Sequence, residues 1–144
     1  MKAIVTGGCG FIASHIVDRL VKEGNEVTVI DNMTTGYLEN IQHHLDKNAI
    51  THLTFDLGDL EKTAKALKGA DAVFHLAANA DVRHGLEDNF RDIARNLIVT
   101  YNILAAMRKN DVKKILFSST AATYGEPDVF PTPESYHPPQ TSSY

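Results

Sequence analysis

The sequence predicts an α/β fold built on a doubly wound parallel sheet of strand order 3-2-1-4-5. Two observations predict it. Short β-branched runs alternate with stretches of helical periodicity, and a glycine-rich turn joins the first run to the first helix. Parallel strands joined through helices cross over right-handedly, and that order follows.

Ala3-Ile4-Val5 is the first run, followed by Val27-Thr28-Val29-Ile30, Leu53-Thr54-Phe55, Ala72-Val73-Phe74 and Ile115-Leu116-Phe117. All five read as buried parallel strands. Between the first two, Ile12, Ile16 and Leu20 recur every four residues beside Ala13, Val17 and Val21, and Gly24 stands where a helix end takes a left-handed residue. A second, shorter helix has Asp59 as cap, Leu60, Ala64 and Leu67 as its apolar row, and Gly69 as its stop. The third is long, from about 88 to 109, with Phe90, Ile93, Leu97, Tyr101 and Leu104 at three-or-four spacing. That stripe is longer than one sheet face requires. After Tyr124 the proline-rich segment leaves no room for a regular element and is expected to loop over the carboxyl edge of the sheet.

A chain of 144 residues, 43% hydrophobic and 22% charged, accommodates one domain with a core of its own. The formal charge is -4 and no block of like charge exists to track a phosphate backbone or an anionic bilayer, so neither nucleic acid nor membrane is expected as a partner. No apolar run approaches the roughly 18 residues of a membrane span, and no signal-peptide pattern precedes the first strand. A cytoplasmic location is the resulting expectation. The single cysteine, Cys9, excludes an internal disulfide and reads as a small residue in a tight loop. His43-His44 sits in a polar stretch without carboxylate or cysteine partners at ligand spacing, so the pair reads as surface histidines and no metal site is expected.

Thr6-Gly7-Gly8-Cys9-Gly10-Phe11-Ile12-Ala13 follows a strand and opens a helix, the position a phosphate-binding loop requires. Gly7 permits the sharp turn and Gly10 lets the backbone approach a pyrophosphate. The helix N-terminal amides at Phe11 and Ile12 offer it partial positive charge. The third position of the glycine pattern is Ala13, where one methyl is tolerable between helix and strand. Asp31 ends the second strand 21 residues beyond Gly10. Its carboxylate can accept from the adenosine ribose hydroxyls and would repel a 2′-phosphate, which favours NAD over NADP. The bland alternative for the same residues is a structural turn and a surface aspartate.

With Asp31-Asn32 followed by Thr34-Thr35-Gly36, Asp56 closing strand three and His75-Leu76-Ala77-Ala78 closing strand four, the whole chain resembles the extended short-chain dehydrogenase/reductase family of NAD-dependent epimerases and dehydratases. Within that family it is most similar to UDP-glucose 4-epimerases. Their pattern after strand five, a Ser-Ser/Thr pair, two small residues and then Tyr-Gly, corresponds to the string Ser118-Ser119-Thr120-Ala121-Ala122-Thr123-Tyr124-Gly125.

The resemblance implies a Rossmann domain, spanning 1–144, that binds NAD. Gly7, Gly10, Phe11 and Ile12 would lie at the pyrophosphate and Asp31 at the adenosine ribose, with Asn32, Thr35, Gly36 and Leu76 also among the cofactor-binding residues. Asp56 and Leu57 would flank the adenine, while Ala77, Ala78 and Ala80 would pass under the pyrophosphate and nicotinamide ribose. Ser118 joins this set at the end of strand five, where a hydroxyl also commonly satisfies backbone groups. Asn96 would position the active-site loops, with contact to ligand left open. By position Thr120 is the catalytic hydroxyl and Tyr144, 24 residues later, the proton-transfer tyrosine, with Tyr124 a packed neighbour.

The implied activity is 4-epimerisation of a nucleotide sugar, UDP-hexose by family default, through transient oxidation to a 4-keto sugar, in a homodimer paired through its long helices. Sister families that eliminate water or carbon dioxide carry an acidic residue after the Ser/Thr position. Here Ala121 and Ala122 stand there, which favours epimerisation over dehydration or decarboxylation. Sequence lacking the lysine that follows the family's tyrosine, the last strands and the sugar-nucleotide domain is expected to be an N-terminal fragment, inactive alone. A non-catalytic NAD-binding module is the alternative of a different class.

Overall fold

The computed structural model describes residues 1–79 and 88–137. Five parallel strands form one sheet: β1 (Lys2–Thr6), β2 (Glu26–Asp31), β3 (Ile50–Thr54), β4 (Ala72–His75) and β5 (Lys114–Phe117). Their order is β3-β2-β1-β4-β5, as the alternation of runs predicts. Ile4 pairs with Thr28 on one side and Val73 on the other, so β1 is the centre of the sheet.

Successive side chains of a strand face opposite sides, and the core divides accordingly. Ala3, Val5, Val27 and Val29 pack with Ala13, Val17 and Leu20 of α1 (Phe11–Lys22) and with Ile41, which precedes the short α2 (Gln42–Leu45). Ile4, Ile30 and Val73 pack on the other side with α3 (Leu60–Ala66) and with α5 (Val99–Lys109) through Ile103, Ala106 and Met107. Full burial of each such aliphatic side chain contributes about 1.5–3 kcal/mol. Both layers are therefore anchored on the central strand.

The sheet selects faces that differ from the simplest periodic rows. In α1 the buried row is Ala13, Val17 and Leu20, while Ile12 is 68% exposed. Small Ala13 lets the helix approach β1 closely, and that choice rotates Ile12 outward. Gly24 ends the helix region at φ +77°, the left-handed conformation its position predicts. α3 starts as expected, Asp59 accepting from the Lys62 amide at 3.0 Å, but Leu60 stays at the surface and Ala64 and Leu67 carry the packing.

β3 begins three residues before the apolar triplet 53–55. Its pairing aligns Asp31 with Thr54, and Phe55 falls beyond the strand. Strand pairing thus overrides the local apolar run, and β3 is a half-buried edge rather than a buried strand. β5 departs further: Ile115, Leu116 and Phe117 are 39%, 48% and 56% exposed. An edge strand has one unpaired side, and its apolar side chains here lack a covering layer among the described residues.

The long helix is continuous but not uniform. Asp88 caps it by accepting from the Phe90 amide at 3.1 Å; α4 (Asn89–Asp92) leads into a π-helical segment, Ile93–Ile98, and then into α5. The row Phe90, Ile93, Leu97, Tyr101 and Leu104 is exposed, from 46% to 67%, while Val99, Ile103, Ala106 and Met107 face the sheet. A helix with apolar residues on both faces has a second face still to cover. No helix among the described residues is long and apolar enough to cross a membrane.

Candidate functional site

At the carboxyl end of the sheet, the loops after β1, β2, β3 and β4 surround a cleft of about 640 Å³. Gly7 leaves β1 at φ +69°, its amide donating to the Ile30 carbonyl at 2.8 Å. A Cβ there would lie 2.9 Å from both N and Cα of Ala77, so only glycine lets the β1 turn rest against the end of β4. The Gly10 amide donates to the Gly7 carbonyl at 2.9 Å and closes the turn. α1 then begins with neither a side-chain cap nor an acidic residue in its first turn. Its leading amides are open toward the cleft, an arrangement suited to an anion.

Asp31, 8% exposed, stands beside that turn. One carboxylate oxygen accepts from the Cys9 amide at 3.0 Å and the other from the Met33 amide at 2.9 Å. The latter bond holds Met33 in the left-handed region at φ 61°. Gly36 closes over the carboxylate: a Cβ on it would sit 3.0 and 3.1 Å from the two oxygens. Glycine therefore keeps space above Asp31 that a side chain would fill, and each carboxylate oxygen retains acceptor capacity. This is the cradle that a vicinal diol of a ribose fits.

Cys9 is fully buried, and burial together with the Asp31 carboxylate pushes its thiol up to about 12. It is a packing residue, not a nucleophile. Asp56 accepts from the Gly58 amide at 2.8 Å and from Asn32 Nδ2 at 2.9 Å, with Arg95 at 3.8 Å. The amide bond from Gly58, then the bond from Asn32 and the Arg95 charge, outweigh partial burial and hold its carboxyl below the usual range. Beneath the cleft floor, His75 is 1% exposed, with Nδ1 2.7 Å from Thr6 Oγ1 and Nε2 3.1 Å from Thr100 Oγ1. Burial lowers its pKa to about 4, so it is a neutral hydrogen-bonding strut.

Gly7, Gly10, Phe11, Ile12, Asp31, Asn32, Thr35, Gly36, Asp56, Leu57, Leu76, Ala77, Ala78 and Ser118 all line the cleft. Asn96 does not; its Oδ1 accepts from the Asn79 amide at 2.7 Å and thereby holds the loop after β4. Thr120 lies past the end of β5, exposed and outside the cleft lining, its carbonyl accepting from the Thr123 hydroxyl. Ala80 and Tyr144 lie outside the described residues.

Thr34 and Ser119, which stand within the family motifs, also line the cleft, as do Asn79, Arg91 and Arg95, which no motif marks. Arg91 stands 3.9 Å from Asp88 and Arg95 3.8 Å from Asp56, so each guanidinium reaches the cleft beside a carboxylate. The arginines' four-residue spacing on the long helix, beside the apolar stripe, is the one trace they leave in the sequence. The π-helical segment carries Arg95 and Asn96, and π turns recur at functional sites because the wider winding re-aims side chains.

The family described as NAD-dependent epimerase/dehydratase matches residues 3–144. A putative UDP-glucose 4-epimerase of Methanocaldococcus jannaschii is 40% identical over 135 residues, 92% of this chain and 43% of its own length. UDP-glucuronic acid decarboxylase 1 of Xenopus tropicalis is 33% identical over 94% of this chain and 31% of its own length. Among solved structures, the UDP-N-acetylglucosamine 4-epimerase of Methanobrevibacter ruminantium, in complex with UDP-N-acetylmuramic acid, superposes with a TM-score of 0.82 at 40% identity. It is covered over 95% of this chain and 44% of its own. The Thermus thermophilus UDP-glucose 4-epimerase in complex with NAD gives a TM-score of 0.80 at 38% identity, over 98% of this chain and 43% of its own. The chain spans less than half the length of these relatives.

Proposed function

The chain belongs to the NAD-dependent epimerase/dehydratase family, and from that premise we propose that it is the cofactor-binding part of a nucleotide-sugar 4-epimerase acting on UDP-hexoses. The observation that carries the reading is the Asp31–Gly36 cradle beside the uncapped start of α1: a diol acceptor and an anion site on one wall of one cleft. Gly7, Gly10, Phe11 and Ile12 hold the pyrophosphate of NAD, Asp31 and Gly36 its adenosine ribose, and Asp56 and Leu57 the adenine. Asp31 disfavours a 2′-phosphate by like charge. Leu76, Ala77, Ala78 and Ala80 carry the nicotinamide half, Asn96 fixes their loop through Asn79, and Arg91 and Arg95 face the anionic ligand.

NAD, when bound, supplies a hydride acceptor that returns the hydride within the cycle. Tyr144 removes the proton from the sugar 4-hydroxyl, and Thr120 donates a hydrogen bond to the same oxygen as charge develops on it. A phenol of ordinary pKa, about 10, needs roughly 4 kcal/mol of electrostatic help to ionise near pH 7. Ala121 and Ala122 offer no acid or base for the elimination or decarboxylation that sister enzymes perform, which favours epimerisation although a decarboxylase is among the relatives. The exposed stripe of the long helix is the surface through which two copies pair as a homodimer.

Conversion of UDP-galactose to UDP-glucose by the whole protein in the presence of NAD tests the proposal. A dehydratase would instead give a keto-sugar with loss of water, and a decarboxylase would leave UDP-galactose unchanged and yield a pentose only from UDP-glucuronic acid.

A further inference from the structure

Away from the cleft, between α1 and α2, three side chains converge on one point. Asp18 Oδ1 lies 2.6 Å from His44 Nε2 and 3.0 Å from His43 Nε2. The ligand-capable atoms of the three residues all fall within 4.8 Å of one another. The sequence disguises this group, because Asp18 lies 25 residues before His43 and only the packing of both helices on one sheet face unites them. Nor are both histidines surface residues: His44 is 8% exposed.

Successive residues on a helix point in different directions, yet both Nε2 atoms here turn to the same oxygen, the rings 4.0 Å apart and tilted by 42°. Two imidazole nitrogens and one carboxylate oxygen form a donor set suited to a borderline divalent ion, and a poor one for magnesium or calcium, which prefer oxygen. We propose that Asp18, His43 and His44 form a surface binding site for a divalent transition-metal ion of the zinc class, joining α1 to α2.

The geometric demand is small. Tetrahedral ligand atoms at zinc distances stand roughly 3.3 Å apart, so the two measured contacts would open by about 0.3–0.7 Å. An imidazole that carries its proton on Nδ1 presents the Nε2 lone pair to the ion. His44, nearly buried, is held in place, while the Asp18 and His43 side chains are 42% and 51% exposed and admit the ion and its remaining water ligands. His15 Nδ1 stands 3.6 Å from Asp18 Oδ2, on the same helix and the other oxygen, outside the three-residue group.

Calorimetric titration of the tag-free purified protein, stripped with chelator, with ZnCl2 at pH 7.5 is the direct test. One equivalent should bind in the micromolar range or tighter, and magnesium should give no saturable heat. His43→Ala and Asp18→Asn should each weaken zinc at least tenfold, and His15→Ala should leave it within about twofold. Free zinc a hundredfold above its dissociation constant should raise the thermal midpoint by about 5–10 °C. Because His43 is half exposed, its variant is expected to fold. Cobalt absorption of the unsubstituted protein gives a readout needing no variant, namely the intense visible bands of a four- or five-coordinate nitrogen-ligated ion. No zinc binding up to 1 mM, affinity unchanged in both His43→Ala and Asp18→Asn, or only the weak spectrum of hydrated cobalt would each overturn the site.

Discussion

Comparing alanine at Gly7 with alanine at Gly24 separates two costs that usually arrive together. Gly7 and Gly24 both adopt positive φ, at 69° and 77°. A Cβ at Gly24 would meet nothing within 4 Å, whereas one at Gly7 would lie 2.9 Å from the backbone N and Cα of Ala77. Gly24→Ala therefore carries only the left-handed strain of an alanine, about 1–2 kcal/mol. Gly7→Ala carries that and a clash with backbone at the end of β4, where relief means moving the strand; overpacking of this kind adds typically about 1–3 kcal/mol. The expected losses in urea unfolding are about 1 kcal/mol for Gly24→Ala and about 3 kcal/mol for Gly7→Ala. NAD affinity should also fall only in the second, since Ala77 is part of the cleft floor. Equal losses for the two variants would refute the close approach of β1 to β4 on which the cleft is built.

NAD should bind at least tenfold more tightly than NADP by calorimetry, and Asp31→Ala should erase the difference; equal affinities in the unsubstituted protein would remove Asp31 from its role. In the whole enzyme Thr120→Ala should slow epimerisation by roughly a hundredfold, the scale of one lost oxyanion donor, and Tyr144→Phe should abolish it. Full activity of Tyr144→Phe would transfer proton removal to another residue such as Tyr124. Leu97→Glu with Tyr101→Glu should convert a homodimer of the whole protein to monomer in sedimentation, and a monomeric unsubstituted protein at micromolar concentration would rule out pairing through that stripe. His75 has a folded pKa of about 4 against 6.5 ordinarily, so between those values the unfolded chain binds the extra proton. Stability from this residue is complete above pH 6.5 and is lost as pH falls toward 4, about 3 kcal/mol in all. His75→Gln should flatten that part of the stability profile, and an unchanged slope between pH 6.5 and 4 would contradict the neutral strut.

Sheet order was legible because it depends on alternation and handedness, both of which survive in a single sequence. The glycine turn and Asp31 were legible because their geometry restricts residue type at fixed spacing. Faces were harder. In the long helix the most regular apolar row, Phe90 to Leu104, is the exposed one, since periodicity reports that a face is apolar and not which partner covers it. The bounds of β3 follow its pairing with β2 rather than its own apolar triplet, and β5 is apolar yet exposed because burial of an edge depends on chain elsewhere. Arg91 and Arg95 reach the cleft, and Asp18 reaches the two histidines, only through tertiary packing. Spacing along the chain cannot carry such meetings, whereas it does carry the local motif at 6–13.

The position of the cleft follows from the two-layer arrangement. After β1 the chain passes to α1 on the Ala3 and Val5 side of the sheet, while β4 is entered from α3 and leads to the long helix on the Ile4 and Val73 side. The loops at the carboxyl ends of neighbouring β1 and β4 therefore part toward opposite faces, and a crevice opens where they separate. Apolar packing alone would leave the width of that crevice loosely determined, because dispersion contacts have little directionality. His75 sits at this point instead: it bonds Thr6 at the end of β1 and Thr100 of α5, and Thr6 Oγ1 also accepts from the Ala77 amide at 3.3 Å. If that amide takes one lone pair of Thr6 and the hydroxyl proton goes to Nδ1, the imidazole keeps its own proton on Nε2 for Thr100, and every bond has a single sense. A proton added to Nδ1 would force Thr6 to accept twice and turn its hydroxyl proton elsewhere. The buried network thus sets the spacing of three elements around the cleft by direction as well as by contact, a role a buried aliphatic side chain could not fill.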